Sequence, residues 1–395
     1  MRVMISGGGT GGGVYPALSI ADALKASQPG VEFLWVGSPA GPEGDLVSRH
    51  GLAFETVHSG PLAGVGLRAL LSVPRIGWGV TQALGIVRRF KPDLLLMTGG
   101  WVTLPATLAC WLRGVPIVIY LPDIEPGGTI RILSRFARTV AVPVADSAQY
   151  FKPGQAVETG YPVRSALLEA AGYDPLGQPT GKAAQVRGQG IAHFGLDECL
   201  PTLLVLGGSS GARSINRALL AQLERILKGD NGKPGCQIIH ISGRLDWAWI
   251  QDEAARLSPE RAATYHPVEY LHTREMAYAL AVADLVVGRA GASTLGEFPL
   301  FDLPAILVPY PYAWRYQKTN ADYLVSRQAA LQLDDERLME ELASVVSSLL
   351  YDDQARERMA EASGALKRPD AAALAAAILI DVAQPALAEN QGRRT

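Results

Sequence analysis

The sequence predicts an α/β protein with two doubly wound parallel-sheet domains that face a cleft. Short apolar segments of strand length alternate with segments of helical periodicity along most of the chain, as in parallel α/β folds. The alternation occurs in two series, and each series opens with a strand, a glycine-rich turn and a helix. A length of 395 residues allows roughly two to three domains.

The first series occupies the N-terminal part of the chain. An apolar segment at 2–6 leads through the glycine-rich run 7–13 into a helix predicted over 14–25. Further strands are predicted at 31–36, 54–57, 93–97, 116–120 and 139–144, and helices at 44–49, 74–89 and 103–112. Because helices connect successive strands, the strands should run parallel.

The second series begins after an irregular stretch at 169–200, which is rich in Gly, Pro and Gln and which we interpret as a linker with a short helix near its end. Strands are predicted at 202–206, 237–241, 284–287 and 305–308, and helices at 213–227, 247–256 and 293–300. We therefore predict an N-terminal domain at 1–168, a linker at 169–200, a C-terminal domain at 201–383 and a tail at 384–395.

Composition excludes several classes of protein. Hydrophobic residues make up 48% and charged residues 19%, which is incompatible with a disordered chain. The net charge of −2 excludes a globally basic nucleic-acid binder. Three isolated cysteines argue against a disulfide framework or a cysteine zinc site. No apolar run reaches the roughly 18 residues of a spanning helix, so we expect a soluble cytoplasmic protein.

The first glycine turn satisfies the spacing G-x-G-x-x-G at Gly7, Gly9 and Gly12. A dinucleotide site would also need an acidic residue at the end of the second strand, about 20 residues on. Here that strand ends WVGSPAG, and the first carboxylate is Glu43, beyond a Gly/Pro turn. The turn therefore indicates close approach of a backbone to a ligand and an anion near a helix N-terminus, rather than NAD.

Three later segments carry groups suited to a nucleotide sugar. The backbone of the second glycine turn and the Ser209 hydroxyl could donate to a diphosphate. Glu297 lies within a predicted helix, where its carboxylate could accept both hydroxyls of a ribose. Gln317 and Asn320 share one helical face, and amides suit sugar hydroxyls because each offers a donor and an acceptor.

Five segments in one order carry a family resemblance: GGGTGG at 7–12, GYPVR at 160–164, GGSSGAR at 207–213, RAGASTLGE at 289–297 and QKTNA at 317–321. With this order and spacing the chain resembles the MurG family of peptidoglycan N-acetylglucosaminyltransferases, two-domain enzymes of the GT-B fold. The resemblance runs from residue 2 to about residue 383. It implies two Rossmann-like domains and transfer, with inversion, of N-acetylglucosamine from UDP-N-acetylglucosamine to the 4-hydroxyl of MurNAc in lipid I, giving lipid II.

The resemblance also implies roles for particular residues. Ser209 would contact the diphosphate, Leu271 would lie beside uracil, Glu297 would bind the ribose and Gln317 would bind the sugar. We see no Asp-x-Asp motif near these segments, and expect neither a tightly held metal nor a tightly bound cofactor. The donor-binding residues implied are Thr10, Gly11, Gly12, Asp123, Arg164, Ser209, Leu271, Ala292, Ser293, Thr294, Leu295, Gly296, Glu297 and Gln317.

The chain departs from the family pattern in two places. Gly13 stands where the family usually has a histidine after Thr-Gly-Gly, and YLPD at 120–123 stands where it usually has His-Glu-Gln-Asn. Asp123 falls at the Asn position, and Glu125 follows two residues later. Our hypothesis is that Asp123 or Glu125 serves as the general base or orients the acceptor. The alternative is that both are loop carboxylates in solvent.

The segment 67–90 suggests contact with an anionic membrane surface. Ile76, Val80 and Leu84 fall on one helical stripe, with Trp78 nearby and Arg75 and Arg88 among the flanking arginines. The competing interpretation is a helix packed on the core with ordinary basic ends. With lipid I as acceptor, we expect peripheral attachment at the cytoplasmic face of the plasma membrane.

Three alternatives to the lipid I transferase stay open. The first is a GT-B transferase that uses a UDP-sugar and another lipid acceptor, because both departures lie on the acceptor side. The second is a UDP-sugar epimerase. The third is a nucleotide-sugar-binding protein without catalytic activity.

Overall fold

The computed structural model describes residues 1–8, 11–39, 41, 43–60, 67–181, 183–208, 211–228, 235–311 and 316–392. The chain divides into two compact units. Unit 1 comprises Met1–Ser165, Pro175–Gln178 and Pro369–Thr395, and unit 2 comprises Ala166–Asp174 and Pro179–Arg368.

Unit 1 is built on a parallel sheet that has seven strands within the described residues, in the order β3-β2-β1-β4-β5-β6-β7. Its strands are β1 (Arg2–Ser6), β2 (Glu32–Gly37), β3 (Ala53–Thr56), β4 (Leu94–Met97), β5 (Ile117–Tyr120), β6 (Thr139–Val142) and β7 (Ala156–Glu158). Its helices are α1 (Gly11–Ser27), α2 (Glu43–Arg49), α3 (Leu67–Phe90), α4 (Thr103–Leu112) and α5 (Gly128–Leu133). The central strands are buried on both faces, which explains their continuous apolar sequence.

Unit 2 repeats this architecture with a parallel sheet of six described strands, in the order β10-β9-β8-β11-β12-β13. Its strands are β8 (Thr202–Leu206), β9 (Gln237–Ile241), β10 (Tyr265–Val268), β11 (Leu285–Gly288), β12 (Ala305–Leu307) and β13 (Ala330–Gln332). Between and after them lie α8 (Arg213–Lys228), α9 (Trp247–Ala254), α10 (Pro259–Ala262), α11 (Thr273–Val282), α12 (Thr294–Leu300), α13 (Tyr316–Ser326), α14 (Leu338–Leu350) and α15 (Asp353–Gly364). The predicted fold class, two doubly wound Rossmann-like domains, is confirmed.

Both sheets have a topological switch point, at which successive connections leave in opposite directions. It lies between β1 and β4 in unit 1 and between β8 and β11 in unit 2. Open α/β sheets bind ligands outside the carboxyl ends of the strands at such a point. The glycine-rich turns follow β1 and β8, so each turn lies at the switch point of its own sheet.

The structure divides the chain differently from the predicted boundaries. The stretch 169–200 contains the end of α6 (Ser165–Ala170) and all of α7 (Ala183–Phe194). Helix α7 packs on α11, where Arg187 donates to the carbonyl oxygen of Ala281 at 3.0 Å and to Asp284 at 3.3 Å. Most of the predicted linker is therefore an ordered part of unit 2.

The C-terminal helix also departs from the prediction. Helix α16 (Ala371–Gly392) packs on α1 of unit 1, whereas the sequence placed residues up to 383 in the second domain and 384–395 in a tail. Ala372, Ala376 and Leu379 share one buried core with Val14 and Ala17. Small residues on both helices allow this close approach, a long-range match that has no local sequence signal.

Candidate functional site

A cavity of about 600 Å³ lies at the switch point of unit 2. It is lined by the turn after β8, the loop after β11, and residues of α12 and α13. Its volume falls within the range of small-ligand sites, roughly 300–1,000 Å³. The fold therefore places a ligand-sized space where the topology leads us to expect one.

The turn after β8 needs glycine because neighbouring backbone leaves no room for a side chain. Gly211 has φ = +85°, and a Cβ there would collide with the carbonyl oxygen of Ser242. A Cβ on Gly207 would lie 2.5 Å from the backbone nitrogen of Ala212. The turn thus brings backbone close to the cavity and ends at Arg213, the first residue of α8. Ser209, the predicted diphosphate contact, lies outside the described residues.

Arg289 is fixed in the cavity wall directly after β11. Its guanidinium lies 2.5 Å from Oδ1 of Asp335 and donates to Oγ of Ser214 at 2.7 Å. It also stacks over the ring of Tyr310, 5.3 Å from the ring centroid. The side chain is only 10% exposed, and its contacts with Asp335, Ser214 and Tyr310 join four segments of the cavity wall. Sequence analysis assigned it no role, since Asp335 is 46 residues away along the chain.

Helix α12 brings three predicted donor-binding residues to the cavity. Ser293, Thr294 and Glu297 all line it, and Glu297 is half-buried. The Thr294 hydroxyl donates to the carbonyl oxygen of Gly291 at 2.7 Å, which tightens the first turn of the helix. A half-buried carboxylate facing a cavity can accept hydrogen bonds from a pair of ligand hydroxyls.

The two amides that the sequence predicts on one face of a helix have different surroundings in α13. Gln317 lines the cavity, and its side-chain oxygen accepts from the backbone N–H of Tyr310 at 2.9 Å. Asn320 is fully buried and donates to the carbonyl oxygen of Ala290 at 3.1 Å. Gln317 therefore remains a ligand candidate, whereas Asn320 joins α13 to the loop after β11.

The other predicted donor-binding residues of unit 2 do not line this cavity within the described part of the chain. Leu271 and Leu295 are buried apolar side chains, so a ligand could reach them through backbone groups alone. The residues in this class are Leu271, Ala292, Leu295 and Gly296.

The glycine-rich turn of unit 1 packs against a buried carboxylate. A Cβ on Gly8 would lie 2.7 Å from Oε1 of Glu43, which also accepts from the backbone N–H of Ser38 at 2.8 Å. Glu43 is fully buried, and its Oε2 has no hydrogen-bond partner among the described residues. The sequence carries no local signal for this contact, because Gly8 and Glu43 lie on different sides of the second strand.

The residues at the start of α1 are placed as follows. Gly11 and Gly12 are half-buried at the first turn, whereas Thr10 lies outside the described residues. Gly13 is buried, and a Cβ there would lie 3.3 Å from Oγ1 of Thr98, at the end of β4. Position 13 therefore packs against the neighbouring strand end at the switch point.

Arg164 lies against the same helix. Its guanidinium stacks over the ring of Tyr15 in α1, 4.9 Å from the ring centroid. The next residue, Ser165, donates from its hydroxyl to Oδ2 of Asp22 at 2.6 Å. These contacts place Arg164 beside the first turns of α1.

The two candidate bases lie in different surroundings after β5. Glu125 forms an ion pair with Arg131 at 2.5 Å, and Arg131 also donates to the carbonyl oxygen of Pro126. Asp123 is half-buried near Tyr120, whose pKa is raised well above its ordinary value by burial first and then by the charges of Tyr161 and Asp123. Glu125 is therefore held by a neighbouring guanidinium, whereas Asp123 lies beside the buried Tyr120.

The predicted membrane-facing stripe of α3 is wrong in part. Ile76 is only 7% exposed within the core of unit 1, and Val80 and Leu84 pack against that core. Periodicity identifies an apolar stripe on a helix but not the surface against which the stripe packs. Here the stripe packs against the sheet of unit 1. Trp78 is 60% exposed, and Arg75 and Arg88 are also exposed.

A different apolar surface does reach solvent on α3 and α4. We call it the tryptophan surface and define it as Val73, Trp78, Trp111 and Leu112, each more than half exposed. The two helices pack against each other, and Arg75 and Arg113 are exposed beside these residues in the sequence. Within the described residues, none of the helices combines the length and hydropathy required to span a membrane.

Comparison with known families matches both units. The N-terminal domain of glycosyltransferase family 28 matches residues 3–142, and the C-terminal domain of that family matches residues 202–375. The chain belongs to glycosyltransferase family 28.

Curated relatives extend the match to nearly the full length. A Roseiflexus protein named UDP-N-acetylglucosamine–N-acetylmuramyl-(pentapeptide) pyrophosphoryl-undecaprenol N-acetylglucosamine transferase is 39% identical, over 94% of this chain and 93% of its own. A Moorella thermoacetica protein of the same name is 37% identical, over 94% and 96%.

Solved structures show the same fold. MurG of Acinetobacter baumannii superposes with a TM-score of 0.71 at 24% identity, covering 96% of this chain and 99% of its own. A UDP-GlcNAc 2-epimerase from Neisseria meningitidis, bound to UDP-GlcNAc, gives a TM-score of 0.65 at 14% identity, covering 97% and 99%.

Proposed function

We propose that this chain transfers N-acetylglucosamine from UDP-N-acetylglucosamine to the 4-hydroxyl of MurNAc in lipid I, forming lipid II and UDP. The observation that carries the proposal is the identity of 37–39%, over nearly the full length of the chain, to curated relatives named for this reaction. The cavity of unit 2 supports it, because hydroxyl, carboxylate and amide groups surround a space of suitable size for a nucleotide sugar.

The donor binds in the cavity of unit 2 in this proposal. Glu297 accepts hydrogen bonds from both ribose hydroxyls, and Ser293 and Thr294 lie along the diphosphate. Gln317 binds the sugar. Ser209 and the backbone of its turn complete the diphosphate contacts. Hydroxyl and N–H donors aimed at the departing diphosphate stabilise its developing charge, so they lower the barrier to loss of UDP.

The reaction inverts the anomeric centre. The 4-hydroxyl oxygen of the acceptor forms a bond to the anomeric carbon while the bond from that carbon to the UDP oxygen breaks. A base removes the hydroxyl proton. We assign this role to Asp123, which falls at the Asn position of the family pattern and is half-buried after β5. Arg164 of unit 1 stays a proposed donor-binding residue on the family resemblance alone.

The acceptor lies in a membrane, and the tryptophan surface of unit 1 is the region that would meet it. Its exposed aromatic and aliphatic side chains enter the interface, and Arg75 and Arg113 attract anionic headgroups. We propose peripheral attachment at the cytoplasmic face of the plasma membrane.

The test is UDP release from UDP-N-acetylglucosamine, measured with and without a short-chain lipid I analogue. We expect release that depends on the acceptor. Donor binding without release would overturn the proposal in favour of another lipid acceptor or a binding protein without catalysis. Acceptor-independent conversion of the sugar would indicate an epimerase, a class that shares the fold.

A further inference from the structure

Among the described residues that line the cavity of unit 2, Arg213 is the exposed cation. It is the first residue of α8, directly after the glycine-rich turn, and its side chain is 59% exposed. Its Nε and one terminal nitrogen both lie 2.8 Å from Oδ1 of Asp246. Since these two nitrogens share one edge of the planar guanidinium, the other terminal nitrogen is directed away from Asp246.

A buried chain of hydrogen bonds fixes Asp246 in turn. The Asn216 amide donates to the carbonyl oxygen of Ser242 at 2.9 Å and to Oδ2 of Asp246 at 3.0 Å. Its oxygen must then accept from Nε2 of His240 at 3.0 Å, which leaves Nδ1 of His240 to accept from the Tyr265 hydroxyl at 2.7 Å.

Burial determines the protonation state of His240 in this chain of hydrogen bonds. Burial lowers the pKa of His240 from 6.5 to about 3, outweighing the opposing charge of Asp246, so the ring is neutral at physiological pH. A neutral ring donates from one nitrogen and accepts at the other, as the four-residue chain requires. The hydrogen bonds from Tyr265 to Asp246 therefore all run in one direction, with each residue donating to the next.

The two arginines that line the cavity within the described residues differ in what they can offer a ligand. Arg289 is 10% exposed and holds Asp335, Ser214 and Tyr310, so its donors are committed to the wall. Arg213 is anchored along one edge and exposed along the other. A nucleoside diphosphate placed by the glycine turn would meet Arg213 first, and a guanidinium fits phosphate oxygens well.

We propose that Arg213 binds the diphosphate of the nucleotide sugar, and that Asp246, held by Asn216, positions its guanidinium. This inference rests on the proposed function and adds the diphosphate-binding cation of unit 2. Asp246 acts through Arg213 and does not touch the ligand.

The experiment is calorimetric titration of the full chain with UDP and with uridine. We expect Arg213→Ala to weaken UDP binding roughly 10- to 100-fold, the loss typical of a charge-assisted contact, and to leave uridine binding unchanged. Arg213→Lys keeps the positive charge but loses the paired N–H donors of the guanidinium, so its UDP affinity should lie between those of the wild type and Arg213→Ala. Arg217→Ala, an exposed arginine one turn later on α8, is the matched control and should bind UDP as the wild type does.

A second variant tests the positioning role. If Asp246 only neutralises Arg213, Asp246→Asn should strengthen UDP binding by removing a competing anion. If Asp246 aims the guanidinium, the same variant should weaken UDP binding while uridine binding and the melting temperature stay near wild type. A rise in UDP affinity would therefore overturn the positioning role.

The outcomes separate this inference from the proposed function. Wild-type protein that binds UDP and turns over with the acceptor, together with an unchanged Arg213→Ala variant, would overturn the inference and leave the function standing. Wild-type protein that binds neither UDP nor uridine would overturn both.

Discussion

Each unit has a glycine-rich turn at the switch point of its sheet, but a different side chain lies beside the turn in each unit. In unit 1 the turn packs on the buried carboxylate of Glu43, close to Gly8. In unit 2 the turn leads into the exposed guanidinium of Arg213, with Arg289 in the same cavity. The same kind of turn thus occurs in two different surroundings.

A glycine turn at a switch point therefore identifies a binding site but not its ligand. A diphosphate needs positive charge and N–H donors, which unit 2 supplies. Unit 1 instead carries Asp123 and the tryptophan surface, features suited to an acceptor hydroxyl and a lipid interface.

The largest effect should come from the proposed base in unit 1. We expect Asp123→Asn to lower kcat by about 10²–10⁴-fold, the usual contribution of a general base, with little change in KM for the donor. Steady-state assays of UDP release measure both constants. Glu125→Gln serves as the comparison variant and should cost much less, because Glu125 is already paired with Arg131. Full turnover in both variants would remove these carboxylates from the chemistry.

The next effect concerns the nucleoside half of the donor in unit 2. Glu297→Ala should weaken UDP binding by about 100-fold, because two ribose hydroxyls lose a charged acceptor. Wild-type protein should also discriminate against 2′-deoxy-UDP, and the variant should lose that preference. Titration with both nucleotides checks the pair, with exposed Glu224→Ala as control. Retained discrimination in Glu297→Ala would mean that another group reads the ribose.

The smallest effect should come from the tryptophan surface. Replacing Trp78 and Trp111 by Ser should lower partitioning onto anionic vesicles about tenfold, since each exposed ring loses its apolar burial in the interface. Sedimentation with vesicles measures the change. The control is Met339→Ser, an exposed apolar side chain of unit 2. An equal loss in the control would mean that unit 1 has no special affinity for membranes.

Local patterns were enough to predict the central strands. The predicted bounds of β1, β8, β9 and α4 match the structure to the residue, because apolar runs flanked by turns mark buried strands and helices clearly. The strands β7, β10 and β13 were missed. Each is three or four residues long and edges its sheet, and β10 contains a proline, so none has an apolar run.

The residues of the candidate site could be predicted only where they belong to one short sequence motif. Ser293, Thr294, Glu297 and Gln317 were predicted and do line the cavity. The anchoring of Arg289 by Asp335, the chain from Tyr265 to Asp246 and the contact of Glu43 with Gly8 were not predicted. Each joins residues far apart in the sequence, so only the fold brings them together. The stripe at Ile76 failed for a related reason, since periodicity does not identify the covering partner.

Helix α16 has a consequence for the order in which the molecule is completed. Unit 1 holds the first strand of the chain, yet its core includes Ala372, Ala376 and Leu379 from the last helix. During synthesis, unit 2 has all of its sequence before this helix emerges. The unit that is made first is therefore finished last, and until then the apolar side chains of α1 lack their cover.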